Sequence, residues 1–307
     1  MAWRLDIKKD DGFMKLAVQP THHSHMKQLA RGGADYFVIG VEGYAQRMRK
    51  TVPLNKVKRF ADEALRHDKR LFVSMNALLF DASLNDVEAI MKDVAAMKGV
   101  EGIMVADSGA IYIAERLGIK NKIVYYAETA PTSVQDVAFF EAEGLRGVVL
   151  ARELTIESIE TIAQAVSIPL FHIGHGHLNM FHSRRALITN YFKKTNQHEA
   201  SDKKGYTITE ATRQEAYPIQ EDSHGTHVFR NMPTHAFSVL NRLKDTLDVM
   251  IVDRLFMDDK TTETLISDYR KSIDEGVSPT LLKQYESTHD SGFFHRRTLL
   301  KKDGEPK

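Results

Sequence analysis

Short apolar runs alternate with amphipathic stretches along most of the chain. The runs cover residues 15–19, 35–41, 70–76, 102–107, 122–127, 147–151 and 168–173. They are rich in Val, Ile, Phe and Tyr and too short for helices, so each predicts a strand. Their near-uniform apolarity predicts burial on both faces. The stretches between them predict helices over 24–31, 53–67, 84–97, 109–117, 134–143 and 156–166. In the second of these, Leu54, Val57, Phe60, Ala61, Ala64 and Leu65 share one face. Ser83 and Thr155 stand where N-caps are expected. From about Asn179 to Met232 the residues are polar and the periodicity is weak. A helix over 234–244, an eighth strand over 249–253 and a helix over 261–272 then complete the series.

Eight strands alternating with helices in a chain of 307 residues predict an α/β fold, the (β/α)8 barrel, as one domain spanning 1–307. An open doubly wound sheet is the alternative; no glycine-rich phosphate fingerprint follows the first strand to support it. Residues 1–12 read as a loose leading segment. Residues 179–232 read as a polar insertion after strand seven, without a core of its own, lying over the barrel mouth as a lid.

Composition narrows the function. Lys and Arg number 42 against 41 Asp and Glu, so any nucleic-acid contact must come from a local patch rather than bulk charge. No apolar run suggests a membrane span or a signal peptide, and the cytoplasm is expected. There is no cysteine. Disulfides, thiolate catalysis and a cysteine-ligated iron–sulfur cluster held by this chain alone are thereby excluded.

In a barrel, polar residues at the C-terminal ends of strands converge on one mouth. Here they are Gln19, Glu42, Asn76, Asp107, Glu128, Arg152 with Glu153, His172 with His175, and Asp253 with Arg254. Buried charges must be paired, and Glu128 with Arg152 is the expected pair. Taken singly, such residues are as readily ordinary loop openings. Residues 171–194 hold four histidines, the pair Arg184–Arg185, the pair Lys193–Lys194 and no acid. Gly174 and Gly176 open this segment and free its backbone for a tight turn or a close approach. The segment suits carboxylate or phosphate. His22, His23 and His25, with His172, His175 and His177, invite a metal reading, but no H-E-x-x-H occurs. No G-x-S-x-G elbow occurs either. Tyr and Phe are not clustered with basic residues in any RNA-stacking motif.

The stretch from His175 to Phe192, H-G-H-L-N-M-F-H-S-R-R-A-L-I-T-N-Y-F, resembles the signature of peptidase family U32, the collagenase-like peptidases. Ala151-Arg152-Glu153-Leu154, Tyr217-Pro218 and Glu221-Asp222-Ser223-His224-Gly225-Thr226-His227 add to the resemblance, which covers about 15–294. Cluster-bearing members carry cysteines where this chain has Asn179, Ala186 and His235. The chain therefore resembles the cysteine-poor branch, the tRNA hydroxylation protein P type. Tyr126 to Thr129, Ser183 to Arg185 and Asp290-Ser291-Gly292-Phe293-Phe294 match that branch.

The resemblance implies a role in hydroxylating the wobble uridine of tRNA, with prephenate as a required carboxylate metabolite. It implies a cysteine-containing paralogue as partner, which would hold any iron–sulfur cluster; no cofactor and no metal are expected in this chain. Combining resemblance and strand ends, the candidate catalytic residues are Glu128, Arg152, Glu153 and His175. The candidate substrate or anion contacts are Glu42, Asn76, Arg184, Arg185 and Arg254, and the candidate tRNA contacts are Lys193, Lys194, Lys203 and Lys204. A peptide hydrolase, as the family name says, and a histidine-ligated metal enzyme are the alternatives.

Overall fold

The computed structural model of the chain describes residues 14–197, 205–212 and 215–296. Eight parallel strands close into a barrel: Lys15–Val18 (β1), Tyr36–Val41 (β2), Arg70–Met75 (β3), Val100–Val105 (β4), Ile123–Tyr125 (β5), Gly147–Val149 (β6), Leu170–Gly176 (β7) and Val249–Val252 (β8). Each pairs with the next, and β1 pairs with both β8 and β2, which closes the ring. The alternation of side chains along each strand produces two cores. Ala17, Tyr36, Val38, Phe72, Met104, Val124, Val149, Phe171, Ile173, Val249 and Ile251 fill the barrel. Their neighbours, among them Phe37, Ile39, Val73, Ile103 and Met250, pack outward against the helices.

Aromatic rings bridge the interior edge to face, Tyr36 to Phe72 at 5.1 Å and Phe72 to Phe171 at 5.5 Å. Gly147 makes room for the last of these. A Cβ there would sit 2.7 Å from the Phe171 ring.

The helical periodicity is realised with boundaries moved by a residue or two. The helix Leu54–Arg66 buries Val57, Phe60, Ala61 and Ala64. Thr155 caps the helix Ile156–Ala165 by accepting from Ser158 N at 3.2 Å. Ser83 does not cap Leu84–Ala96; its hydroxyl closes a preceding 3-10 turn by donating to Phe80 O at 2.8 Å. The helix expected over 234–244 is shortened to Leu240–Thr246. Thr234–His235 instead pairs antiparallel with the end of β7, because β7 runs past its parallel neighbours and exposes bonding groups there. The helix Pro279–Glu286 was not predicted, although Ser278 followed by Pro279 is a helix-start signal.

The polar stretch after β7 contains more structure than its weak periodicity predicts. Asn179–Ser183, Tyr206–Thr209, Ala216–Asp222 and Gly225–Phe229 form a four-stranded antiparallel sheet, and Leu187–Thr195 is a helix. The register aligns Gln220 with His227 and His227 with His182, so these share a face with Asp222. The opposite face carries Ile219, Val228 and Phe181. Glu221 holds the helix to the sheet, accepting from Ile188 N at 2.9 Å and from the Thr189 hydroxyl at 2.5 Å. The alternation was masked because Glu221 and Thr226, which bond this helix, interrupt the apolar face, while the other face turns polar side chains toward the barrel mouth.

Candidate functional site

Four charged side chains meet at the C-terminal end of the barrel. Arg152, just past β6, donates to Asp253 Oδ2 at 2.6 Å and to His177 O at 2.5 Å. Arg47, in the loop after β2, donates from Nε to Glu128 Oε1 at 2.8 Å. The side chains of Arg47, Glu128 and Arg152 are each less than a tenth exposed. Tertiary structure therefore repartners the expected pair: Glu128 takes Arg47, and Arg152 takes Asp253. Glu128 and Arg152 remain close enough to act on each other's charge.

Burial would raise the Glu128 carboxyl, but the Arg47 and Arg152 guanidiniums outweigh it and hold it below the ordinary glutamate range. Burial likewise works against the Arg152 charge, and Glu128 and Asp253 overcome it. The Tyr126 phenol beside them is pushed up to about 12 by desolvation, reinforced by the Glu128 carboxylate.

The insertion joins this cluster through Asp222. Its Oδ2 accepts from Arg47 N at 3.0 Å, and its Oδ1 accepts from His224 N at 2.8 Å. Burial opposes its charge, but His227 and these backbone donors hold it at about 2. His227 lies 3.4 Å from Asp222 and stacks on His182, with centroids 4.3 Å apart and planes 8° from parallel. Arg47 adopts φ of +56°, a left-handed conformation uncommon for a residue with a side chain, and so presents both its backbone N–H and its guanidinium to the site. Glu128 Oε2, Arg152 Nε and His227 Nδ1 are buried without a hydrogen-bond partner. Such groups mark a place for a polar ligand or water.

The other expected residues are scattered around this centre. Gln19 tethers the loop after β2, donating to Lys50 O at 2.7 Å and accepting from Arg49 N at 2.9 Å. Asn76 is buried and accepts from Gln46 N at 3.1 Å. Asp107 is a helix cap, accepting from Gly109 N at 2.7 Å. Glu42 and Glu153 are exposed. Arg254 is 1% exposed and away from the cluster, where it binds Thr21, Met257 O and Asp259. His175 faces the outer shell, 3.1 Å from the Tyr269 hydroxyl, rather than the mouth. His172 also turns outward, against Phe294. Gly174 and Gly176 serve close approaches within the protein, to Met250 and to Asp253.

Arg184 and Arg185 are exposed on the insertion, with the Arg184 guanidinium 3.7 Å from the centroid of the Phe80 ring. Lys193 and Lys194 lie in the last turn of Leu187–Thr195. Lys203 and Lys204 lie outside the described residues. Of the histidines at 22–25, His22 and His25 both approach Asp259, at 3.7 and 3.5 Å, His25 also lies 3.2 Å from Glu263, and His23 packs on Phe60. Among the described residues no group of three or more His, Asp or Glu side chains is arranged to hold a metal ion.

Sequence reasoning missed Arg47, Asp222 and the His182–His227 stack. Asp222 and His227 stood within a matching motif but were given no role. Arg47 lies beyond the strand end in a loop without periodicity, so only the folded chain brings it to Glu128.

A parallel barrel with a buried charge network at the C-terminal mouth, roofed by an inserted sheet, defines a barrel protein with its site in the usual place for that fold. The chain belongs to peptidase family U32, whose model matches residues 21–299. It is 26% identical to tRNA hydroxylation protein P2 of Bacillus subtilis over 93% of this chain and 98% of that one. It is 28% identical to tRNA hydroxylation protein P of Escherichia coli over 64% of this chain and 42% of that longer one. The solved structure of the U32 peptidase Mk0906 matches with a TM-score of 0.50 at 15% identity, covering 80% of this chain and 94% of the other, a likeness of fold. Among the described residues no helix is long and apolar enough to cross a membrane.

Proposed function

We propose that this chain takes part in tRNA hydroxylation, as the subunit that holds substrate beside a cysteine-bearing partner of the same family. The observation that carries this reading is the nearly end-to-end match with tRNA hydroxylation protein P2. The chain offers no thiolate ligand of its own, so the redox step is assigned to the partner. In this reading the mouth binds and orients. Each of its arginines already holds a protein carboxylate, so an added anion gains little there. The acceptor at Glu128 Oε2 and the donor at Arg152 Nε favour a neutral group offering both, as the edge of a pyrimidine does. A small carboxylate metabolite or a tRNA phosphate is assigned to the exposed Arg184 and Arg185.

The test is nucleoside mass spectrometry on tRNA from a strain lacking this protein. Loss of hydroxyuridine is expected; an unchanged level rejects the reading.

One contact favours the peptidase alternative. Ser24 Oγ lies 2.7 Å from His22 Nδ1, and His22 Nε2 lies 3.7 Å from Asp259 Oδ2. The Ser24–His22 contact is exposed, and Asp259 is already engaged by Arg254 and Thr21. Cleavage of a denatured protein by the purified chain, abolished in Ser24→Ala, would favour that alternative.

A further inference from the structure

Among the described residues the outer face of the inserted sheet is only partly covered. Between it and the helix Leu187–Thr195 runs an open groove of about 850 Å3, lined by Met180, Phe181, Tyr191, Phe192, Tyr206 and Ile208 among others. Met180, Phe181 and Tyr191 are 57%, 51% and 57% exposed. The rings form a chain, Tyr191 to Phe192 at 5.4 Å and Phe192 to Tyr206 at 5.2 Å. Positive charge borders them. Lys193 and Lys194 follow Tyr191 and Phe192 directly, and Arg184 and Arg185 precede the helix. Arg184 also lies over Phe80, a further exposed ring. The carboxylates here are Glu210 on the lining, Glu215 bonded to the Tyr217 hydroxyl, and Glu221 turned into the helix N-terminus.

We propose that this groove binds unstacked bases of single-stranded RNA, with Arg184, Arg185, Lys193 and Lys194 on the backbone phosphates. The proposal rests on the tRNA reading above and adds an RNA contact on the outer sheet face to the base edge assigned to the mouth. Flat exposed rings interleaved with cations are what single-stranded nucleic acid uses, since every base has a face to stack and every link a phosphate. Duplex RNA hides those faces. A protein partner is the competing occupant, but lysine is depleted from protein–protein interfaces, and here it flanks the rings.

The test uses the full chain and fluorescence anisotropy with a labelled oligouridine, competed by an RNA duplex. Oligouridine is expected to bind and the duplex to compete poorly. Phe181→Ala with Tyr191→Ala should weaken binding at least ~10-fold with the salt dependence unchanged, since stacking carries no counterion release. Lys193→Gln with Lys194→Gln should lower the salt slope by about 0.7 for each phosphate no longer neutralised. All four side chains lie on the surface, so thermal melts should match the parent. Unchanged affinity in the alanine pair, preference for duplex, or no binding by the parent would overturn the proposal. So would altered self-association in the alanine pair with unaltered RNA affinity, which would mark a protein-docking face. Gene deletion tests the functional reading and titration tests the groove, so either can fail alone.

Discussion

Arg152 reaches past β7 to bond Asp253, linking the ends of β6 and β8 at 2.6 Å. The arginine is 6% exposed and also has Glu128 within charge range, so it balances two carboxylates. Arg152→Ala would leave Asp253 without its partner and Glu128 with only Arg47. A cost of about 3–5 kcal/mol in unfolding free energy is expected. Arg152→Met combined with Asp253→Asn should recover part of it, with a coupling energy of roughly 0.5–3 kcal/mol. Additive losses in urea denaturation of the singles and the double would show that the pair does not couple.

Arg185 should behave in the opposite way. Its side chain is exposed, while its backbone oxygen accepts from Leu187 N and the Thr226 hydroxyl. Arg185→Ala keeps that backbone and should stay within about 0.5 kcal/mol of the parent. Removing a guanidinium that holds an anion should weaken ligand binding about ten-fold or more. The paired measurement is a thermal melt and the hydroxyuridine level in a deletion strain carrying the variant. Full modification would exclude Arg185 from the site.

Glu221 ties the helix Leu187–Thr195 to its sheet through Ile188 N, Thr189 and Thr226. Glu221→Ala removes a buried acceptor and strands several donors, at about 1–3 kcal/mol. The loss should be local, so amide hydrogen exchange should quicken in 187–195 and stay unchanged in the barrel strands. Uniformly faster exchange would mean that the insertion and barrel unfold as one unit.

His172 sets a pH dependence. Burial, reinforced by Arg152, lowers it to about 4, against an ordinary value of 6.5. Between those values the unfolded chain binds this proton and the native chain does not. Stability should therefore fall as pH drops from about 6.5 towards 4, by on the order of 3 kcal/mol from this residue at most. His172→Leu should flatten the slope of unfolding free energy between pH 7 and pH 5, roughly the window in which this proton is taken up. An unchanged slope would assign the dependence to other histidines that desolvation lowers, such as the half-buried His289, also lowered to about 4.

The barrel was legible because its causes are local. Runs such as 35–41 are apolar at every position, and a strand buried on both faces requires that. The helix Leu54–Arg66 shows its buried stripe in four residues spaced by turns of the helix. Glu128, Arg152 and Asp253 were legible as members of a mouth for the same reason, since the end of a strand is a local feature. Their partners were not. Which guanidinium meets which carboxylate depends on where β2's loop returns and how far Arg152 reaches past β7, and neither is written in periodicity. The sheet of the insertion was hidden by its own packing: Glu221 and Thr226 interrupt its apolar face to bond the helix Leu187–Thr195, so its strands do not read as amphipathic. Aromatic and basic residues that are separate along the chain, Phe80 with Arg184 and Tyr206 with Phe192, become neighbours only in the fold. Sequence determined the barrel, the ring of polar strand ends and the absence of thiolates. Tertiary structure decided the ion-pair partners, the outward turn of His172 and His175, and the second face of the insertion, because each depends on contacts between segments far apart in the chain.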